Sequence, residues 1–86
     1  MNVHVPGPLR DYTAGLGLVE ASGDTLGGLL ADLDRRFPGM RFRMIDEQGR
    51  VREHIKLFVN SEQAFALDAA LAGAREVHII CALSGG

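Results

Sequence analysis

One helical stripe constrains what this chain can become. Leu26, Leu29, Leu30, Leu33 and Phe37 recur at i, i+3, i+4, i+7 and i+11, which puts all five on one face of a helix. Asp24 or Thr25 supplies an N-cap, Arg35 and Arg36 stand in the last turn where cations favour the helix dipole, and Pro38-Gly39 stops the helix. The spacing predicts a helix over residues 25–36. Gly27 and Gly28 each cost it about 1 kcal/mol against alanine, so packing of the leucine stripe must carry its stability. A sheet is the partner that the rest of the chain offers.

The flanking segments alternate as strands do. Val3 and Val5 oppose Asn2 and His4 until Pro6 and Pro8 interrupt pairing, giving a first strand from Asn2 to about Val5. Pro6 to Gly15 reads as a wide turn, and Leu16 to Ala21 as a second strand that pairs with the first in a hairpin. Arg41 to Ile45 is predicted as a third strand, with Phe42 and Met44 opposed to Arg43 and Ile45, closed by an Asp46-Glu47-Gln48-Gly49 turn. From His54 to Asn60, Ile55, Leu57 and Val59 point one way, and His54, Lys56, Phe58 and Asn60 the other. Residues 61–75 read as irregular with a brief helix. Glu76 to Leu83 is the final strand, with Val77, Ile79 and Cys81 on one face and His78, Ile80 and Ala82 on the other.

This order predicts an α+β chain in the β-grasp (ubiquitin-like) arrangement: a mixed sheet of four to five strands with one main helix packed on it. The first and last strands are expected as parallel neighbours at the sheet centre, which suits the apolar run of the last one. If the last strand lies beside 54–60, Phe58 and Ile80 share the solvent face with His78 close by, a small patch suited to a partner. The patch leads to the end of the chain, Leu83-Ser84-Gly85-Gly86. Two terminal glycines have no Cβ and can thread a narrow channel. Ala82 to Gly86, fully extended at about 3.3 Å per residue, reaches roughly 16 Å. The expected division is a domain over residues 1–81 and a flexible tail over 82–86.

Composition removes several functions. At 86 residues, 47% hydrophobic and 23% charged, the chain is expected to form one domain with a small core. No apolar run approaches the ~20 residues of a membrane span, and a net charge of −2 with Lys56 as the sole lysine offers nucleic acid no attractive field. Met1 to Val5 lacks a basic segment leading into an apolar stretch, and one cysteine excludes an internal disulfide framework, so a cytoplasmic location is expected. His4, His54 and His78 show no ligand spacing such as i, i+4 on a helix, and no metal site is expected. Cys81 reads as a small buried hydrophobe rather than a persulfide carrier, and Asp32 and Asp34 as solvated helix residues. There is no Gly-x-x-x-x-Gly-Lys phosphate loop and no readable nucleophile–base pair.

Phe58-Val59-Asn60, then Glu76-Val77-His78-Ile79-Ile80, then Ala82-Leu83-Ser84-Gly85-Gly86 form an ordered set that resembles the MoaD/ThiS family of ubiquitin-like sulfur carriers. Pro8-Leu9-Arg10 and the helix ending at Phe37-Pro38-Gly39 extend the similarity over nearly the whole chain. Two positions depart from the family's habit: Gly73-Ala74-Arg75 stands where it usually has Gly-Asp, and Cys81 where it often has proline. The resemblance implies that Gly86 is the site of adenylation and of the thiocarboxylate, that Gly85 and Ser84 give the tail access, and that Phe58, His78, Ile80 and Leu83 dock partners. It implies a substrate and donor protein rather than a catalyst, binding no cofactor, with ATP used by an E1-like adenylyltransferase partner. A sulfurtransferase or cysteine desulfurase would supply sulfur. A sulfur-accepting enzyme, such as the large subunit of molybdopterin synthase, would receive it. Molybdopterin synthesis leads as the recipient pathway, with thiamine and cysteine as the others. The competing reading is a ubiquitin-like protein modifier or a non-catalytic interaction module.

Overall fold

The computed structural model describes residues 1–82. The chain runs β1 (Asn2–His4), a 3-10 helix (Gly7–Thr13), β2 (Leu18–Glu20), α1 (Leu26–Arg36), α2 (Met40–Met44), β3 (Ile55–Val59), β4 (Glu62–Ala64) and β5 (Glu76–Cys81). The five strands form one mixed sheet in the order β2-β1-β5-β3-β4. This is the β-grasp fold. β1 and β2 form the expected antiparallel hairpin, β1 and β5 the expected parallel pair, and β3 lies antiparallel on the other side of β5.

The leucine stripe forms the helix side of the core. Leu26, Leu29, Leu30 and Leu33 are each 0% exposed and pack with Val3, Val19, Leu57, Val77 and Ile79 from the sheet's inner face. Each buried leucine contributes about 1.5–3 kcal/mol, enough to hold a helix of 11 residues that alone would be marginal. Its first turn is also satisfied from outside. The Thr25 hydroxyl accepts from the Gly28 amide at 3.1 Å, while the Leu26 and Gly27 amides donate to the Ala69 and Leu67 carbonyls at 2.9 and 2.7 Å. Gly27 has its reason here: a Cβ would stand 3.1 Å from the Leu67 carbonyl oxygen.

Three segments differ from the sequence expectation. Residues 41–45 do not form a strand: they lie in the short helix α2 and its C-cap. Met40 and Met44 are spaced i, i+4, both 0% exposed, whereas Phe42, paired with Met44 in the alternating reading, is 56% exposed. Gly39 opens this helix at φ +95°, and Asp34 Oδ1 accepts from the Gly39 and Arg41 amides at 3.1 and 3.0 Å. Ile45 leaves the helix to bridge Val51. The wide turn contains the seven-residue 3-10 helix, anchored by the buried Thr13 hydroxyl, which donates to the Leu16 carbonyl at 2.7 Å. Within 61–75, Glu62–Ala64 pairs with β3 as a short edge strand. The segment after it supplies the carbonyls that meet α1.

Asp32 is not solvated but only 7% exposed. Its Oδ2 accepts from the Ser22 amide and from Arg36 Nε, both at 2.9 Å, and Arg35 binds its Oδ1. The Ser22 amide first, then the two guanidiniums, hold its carboxyl at about 2, below its ordinary 3.8. A lowered folded value means a contribution fully present above the unfolded value and lost as pH falls through the folded one. Asp32→Asn is therefore expected to unfold at lower urea concentration than the parent at pH 7. The gap should narrow as pH falls from about 4 toward 2; a gap independent of pH would show that the charge contributes nothing.

Candidate functional site

The inner residues of β1, β2, β3 and β5 are packed in or against the core, so the opposite face is where binding chemistry can stand. The strand registers align one row across the whole sheet on that face: Leu18 opposite His4, His4 opposite His78, His78 opposite Phe58, and Phe58 opposite Gln63. Lys56 and Ile80 pair one step further along β3 and β5. Phe58 and His78 are half-buried, Ile80 is 42% exposed and Leu18 52% exposed. A shallow groove over β3 and β5 is lined by Phe58, Asn60, Ser61, Arg75, Glu76, His78 and Ile80. The three patch residues expected from alternation, Phe58, His78 and Ile80, thus lie together.

Two neighbours of that patch were not foreseen. His4 stacks on His78 with ring centroids 4.0 Å apart and planes within 3°. Glu76 Oε1 stands 2.8 Å from His4 Nε2 and 3.2 Å from His78 Nε2. The spacing rule applied to histidines along the chain missed this cluster because His4 lies 72 residues before Glu76. Parallel pairing of the first and last strands, combined with the period of two, is the signal that could have found it. Asn60 fixes the cluster's base. Held at φ +54°, it accepts on Oδ1 from the Arg75 and Glu76 amides at 3.0 and 3.3 Å and donates its own amide to the Glu76 carbonyl at 2.9 Å.

The His4 hydrogen bond, with the charge of His78 adding to it, lowers the Glu76 carboxyl from its ordinary 4.5. Cys81 lies on the helix side opposite Ile55, half-buried against the core. β5 ends at Cys81, and the Ala82 amide still donates to the His54 carbonyl at 2.7 Å. Leu83, Ser84, Gly85 and Gly86 lie outside the described residues. Among the described residues, no helix is long and apolar enough to cross a membrane.

The family model described as "ThiS family" matches residues 3–86, including the Gly-Gly end. The chain belongs to the ThiS family. Its ThiS-family sequence is 34% identical over 91 residues to sulfur carrier protein CysO of Mycobacterium tuberculosis, covering 100% of this chain and 98% of that one. The crystal structure of M. tuberculosis CysO superposes with a TM-score of 0.88 at 33% identity, covering 95% and 98% of the two chains. A chain of the crystal structure of the Amycolatopsis orientalis BexX/CysO complex gives a TM-score of 0.88 at 30% identity, over 99% and 98%. SAMP1 from Haloferax volcanii gives 0.78 at 30% identity, over 100% and 98%.

If the His4 hydrogen bond is what depresses Glu76, His4→Ala should move the Glu76 titration, followed by carboxyl-carbon NMR, up toward 4.5. An unmoved midpoint would assign the depression elsewhere.

Proposed function

We propose that this ThiS-family chain is a sulfur carrier, with Gly86 as the atom-bearing end. The observation that carries the reading is the family match that runs through Gly86 together with full-length similarity to sulfur carrier protein CysO. A terminal carboxylate has a pKa of roughly 3.5 and is ionised at neutral pH, so it is a poor electrophile. An E1-like partner would let it attack the α-phosphorus of ATP, releasing pyrophosphate and leaving an acyl-adenylate. Hydrosulfide from a sulfur-supplying enzyme then adds to the acyl carbon and expels AMP, leaving the thiocarboxylate and one proton. The chain acts as substrate and donor, in the cytoplasm. ATP is used by the partner; no cofactor is assigned to this chain.

Molybdopterin synthesis does not keep its leading place as recipient. The full-length similarity to CysO supports cysteine synthesis ahead of it. Leu18, Phe58, His78 and Ile80 form the face that a partner would grip, next to the strand from which Ser84-Gly85-Gly86 follows. One observation favours a second reading, protein modification, in which Gly86 forms an amide with a target lysine: the similarity to SAMP1, a small archaeal modifier protein.

Incubation with ATP, sulfide and extract of the native cell, followed by intact-mass spectrometry, separates the readings. Exchange of one oxygen for one sulfur at Gly86 is expected; a covalent conjugate in its place would favour the modifier. A variant lacking Gly86 should accept no sulfur and unfold like the parent. Ile80→Asp is expected to cost less than about 1 kcal/mol of stability at this exposed position. Its affinity for the adenylating partner should fall tenfold or more, about 1.4 kcal/mol. Unchanged affinity would remove Ile80 from the docking face.

A further inference from the structure

The stacked histidines and Glu76 are more than a surface ion pair. We propose that His4, Glu76 and His78 form a three-ligand site for a divalent transition metal of the zinc class on the outer face of the sheet. This assignment rests on the cluster alone and stands whether or not the chain carries sulfur. One ring nitrogen from each histidine and one glutamate oxygen all lie within 4.8 Å of one another. Bonds of about 2.0–2.1 Å in a tetrahedral site put neighbouring ligand atoms about 3.3 Å apart. Glu76 Oε1 already stands 2.8 and 3.2 Å from the two imidazole nitrogens; because the rings are stacked with nearly parallel planes, binding one ion requires them to leave the stack and tilt until both in-plane Nε2 lone pairs converge.

The donor set suits the ion. Two imidazoles and one carboxylate are borderline ligands that bind zinc, cobalt, nickel and copper well and calcium or magnesium poorly. The backbone that carries them is fixed before any ion arrives. His4 and His78 face each other across the parallel β1–β5 pair near the sheet centre, and Asn60 pins the start of β5 at Glu76. Preorganisation of this kind lowers the entropy lost on binding. Leu18 and Phe58 flank the two rings in the cross-sheet row and place apolar side chains on either side.

Each imidazole would carry its proton on Nδ1 and turn the Nε2 lone pair to the ion, so the metal takes the place of the hydrogens that otherwise join Nε2 to the carboxylate. The three side chains are 35–42% exposed, so the remaining coordination position faces solvent and accepts water or a donor atom from a partner.

The untagged full chain, titrated with Zn²⁺ against a chromophoric chelator, is expected to bind one equivalent. In NMR spectra the ring signals of His4 and His78 should shift and those of His54 should not. Co²⁺ should give the intense visible absorption of a tetrahedral site. His78→Ala and Glu76→Gln are expected to weaken Zn²⁺ binding tenfold or more, and His54→Ala to leave it unchanged. Glu76→Gln keeps the size of the side chain, and amide spectra matching the parent's will show that the fold persists. The assignment is overturned if the parent binds no tighter than the two site variants, or if Zn²⁺ moves the His54 signals as much as the others.

Discussion

The parallel pairing of β1 with β5 is the interaction on which the rest of this structure depends. It joins residues 2–4 to residues 76–78, a closure across nearly the whole chain, and such long loops cost more conformational entropy than local contacts do. The closure holds because it completes the core. With β5 seated between β1 and β3, Val77 and Ile79 are buried in one core with the α1 leucines, Val77 paired on both sides and Ile79 with Leu57 of β3, and every strand acquires one inner and one outer face. The outer row of Leu18, His4, His78, Phe58 and Gln63 follows from this register together with those of β1–β2, β3–β5 and β3–β4.

What was legible in the chain follows from local periodicity. The leucines of α1 repeat with the helical period and lie on one face. Ile55, Leu57, Val77 and Ile79 alternate with the strand period, so β3 and β5 were readable and so was the shared face of Phe58, His78 and Ile80. Residues 41–45 misled because five residues with apolar positions at both odd and even places fit two periods at once. Burial of Met40 together with Met44 decides for the helix, and Met40 falls before the stretch that alternation picks out. β4 carried no signal of its own: Glu62-Gln63-Ala64 has low strand propensity and is a strand because β3 presents an open edge to it.

The outer face was half-legible for a related reason. Alternation tells which residues share a face of one strand, but the register between distant strands tells which side chains touch. His4 and Glu76 became neighbours only through the closure of the two chain ends, and no spacing rule along the chain measures that. Asp32 is the converse case. An aspartate on a helix among arginines reads as solvated, yet the Ser22 amide in the link from β2 to α1 turns toward it, and a carboxylate that satisfies a backbone donor and two cations can be buried.

The same closure bears on how a carrier of this design would work. β5 is paired with β3 over residues 77–81 and also with β1 over residues 76–78, so its position is among the most firmly determined in the fold. Ile80 and His78 sit on its outer face, and the Ala82 amide is bonded to His54 just beyond it. A partner that grips Phe58, His78 and Ile80 therefore also fixes the point at which the last four residues begin. Recognition of the sheet then restricts where the terminal carboxylate can go, which is the entropic part of bringing a reacting group to an active site. In the proposed role specificity sits on the sheet and reactivity on Gly86. The terminal glycines need carry no recognition of their own, which is consistent with their lack of side chains.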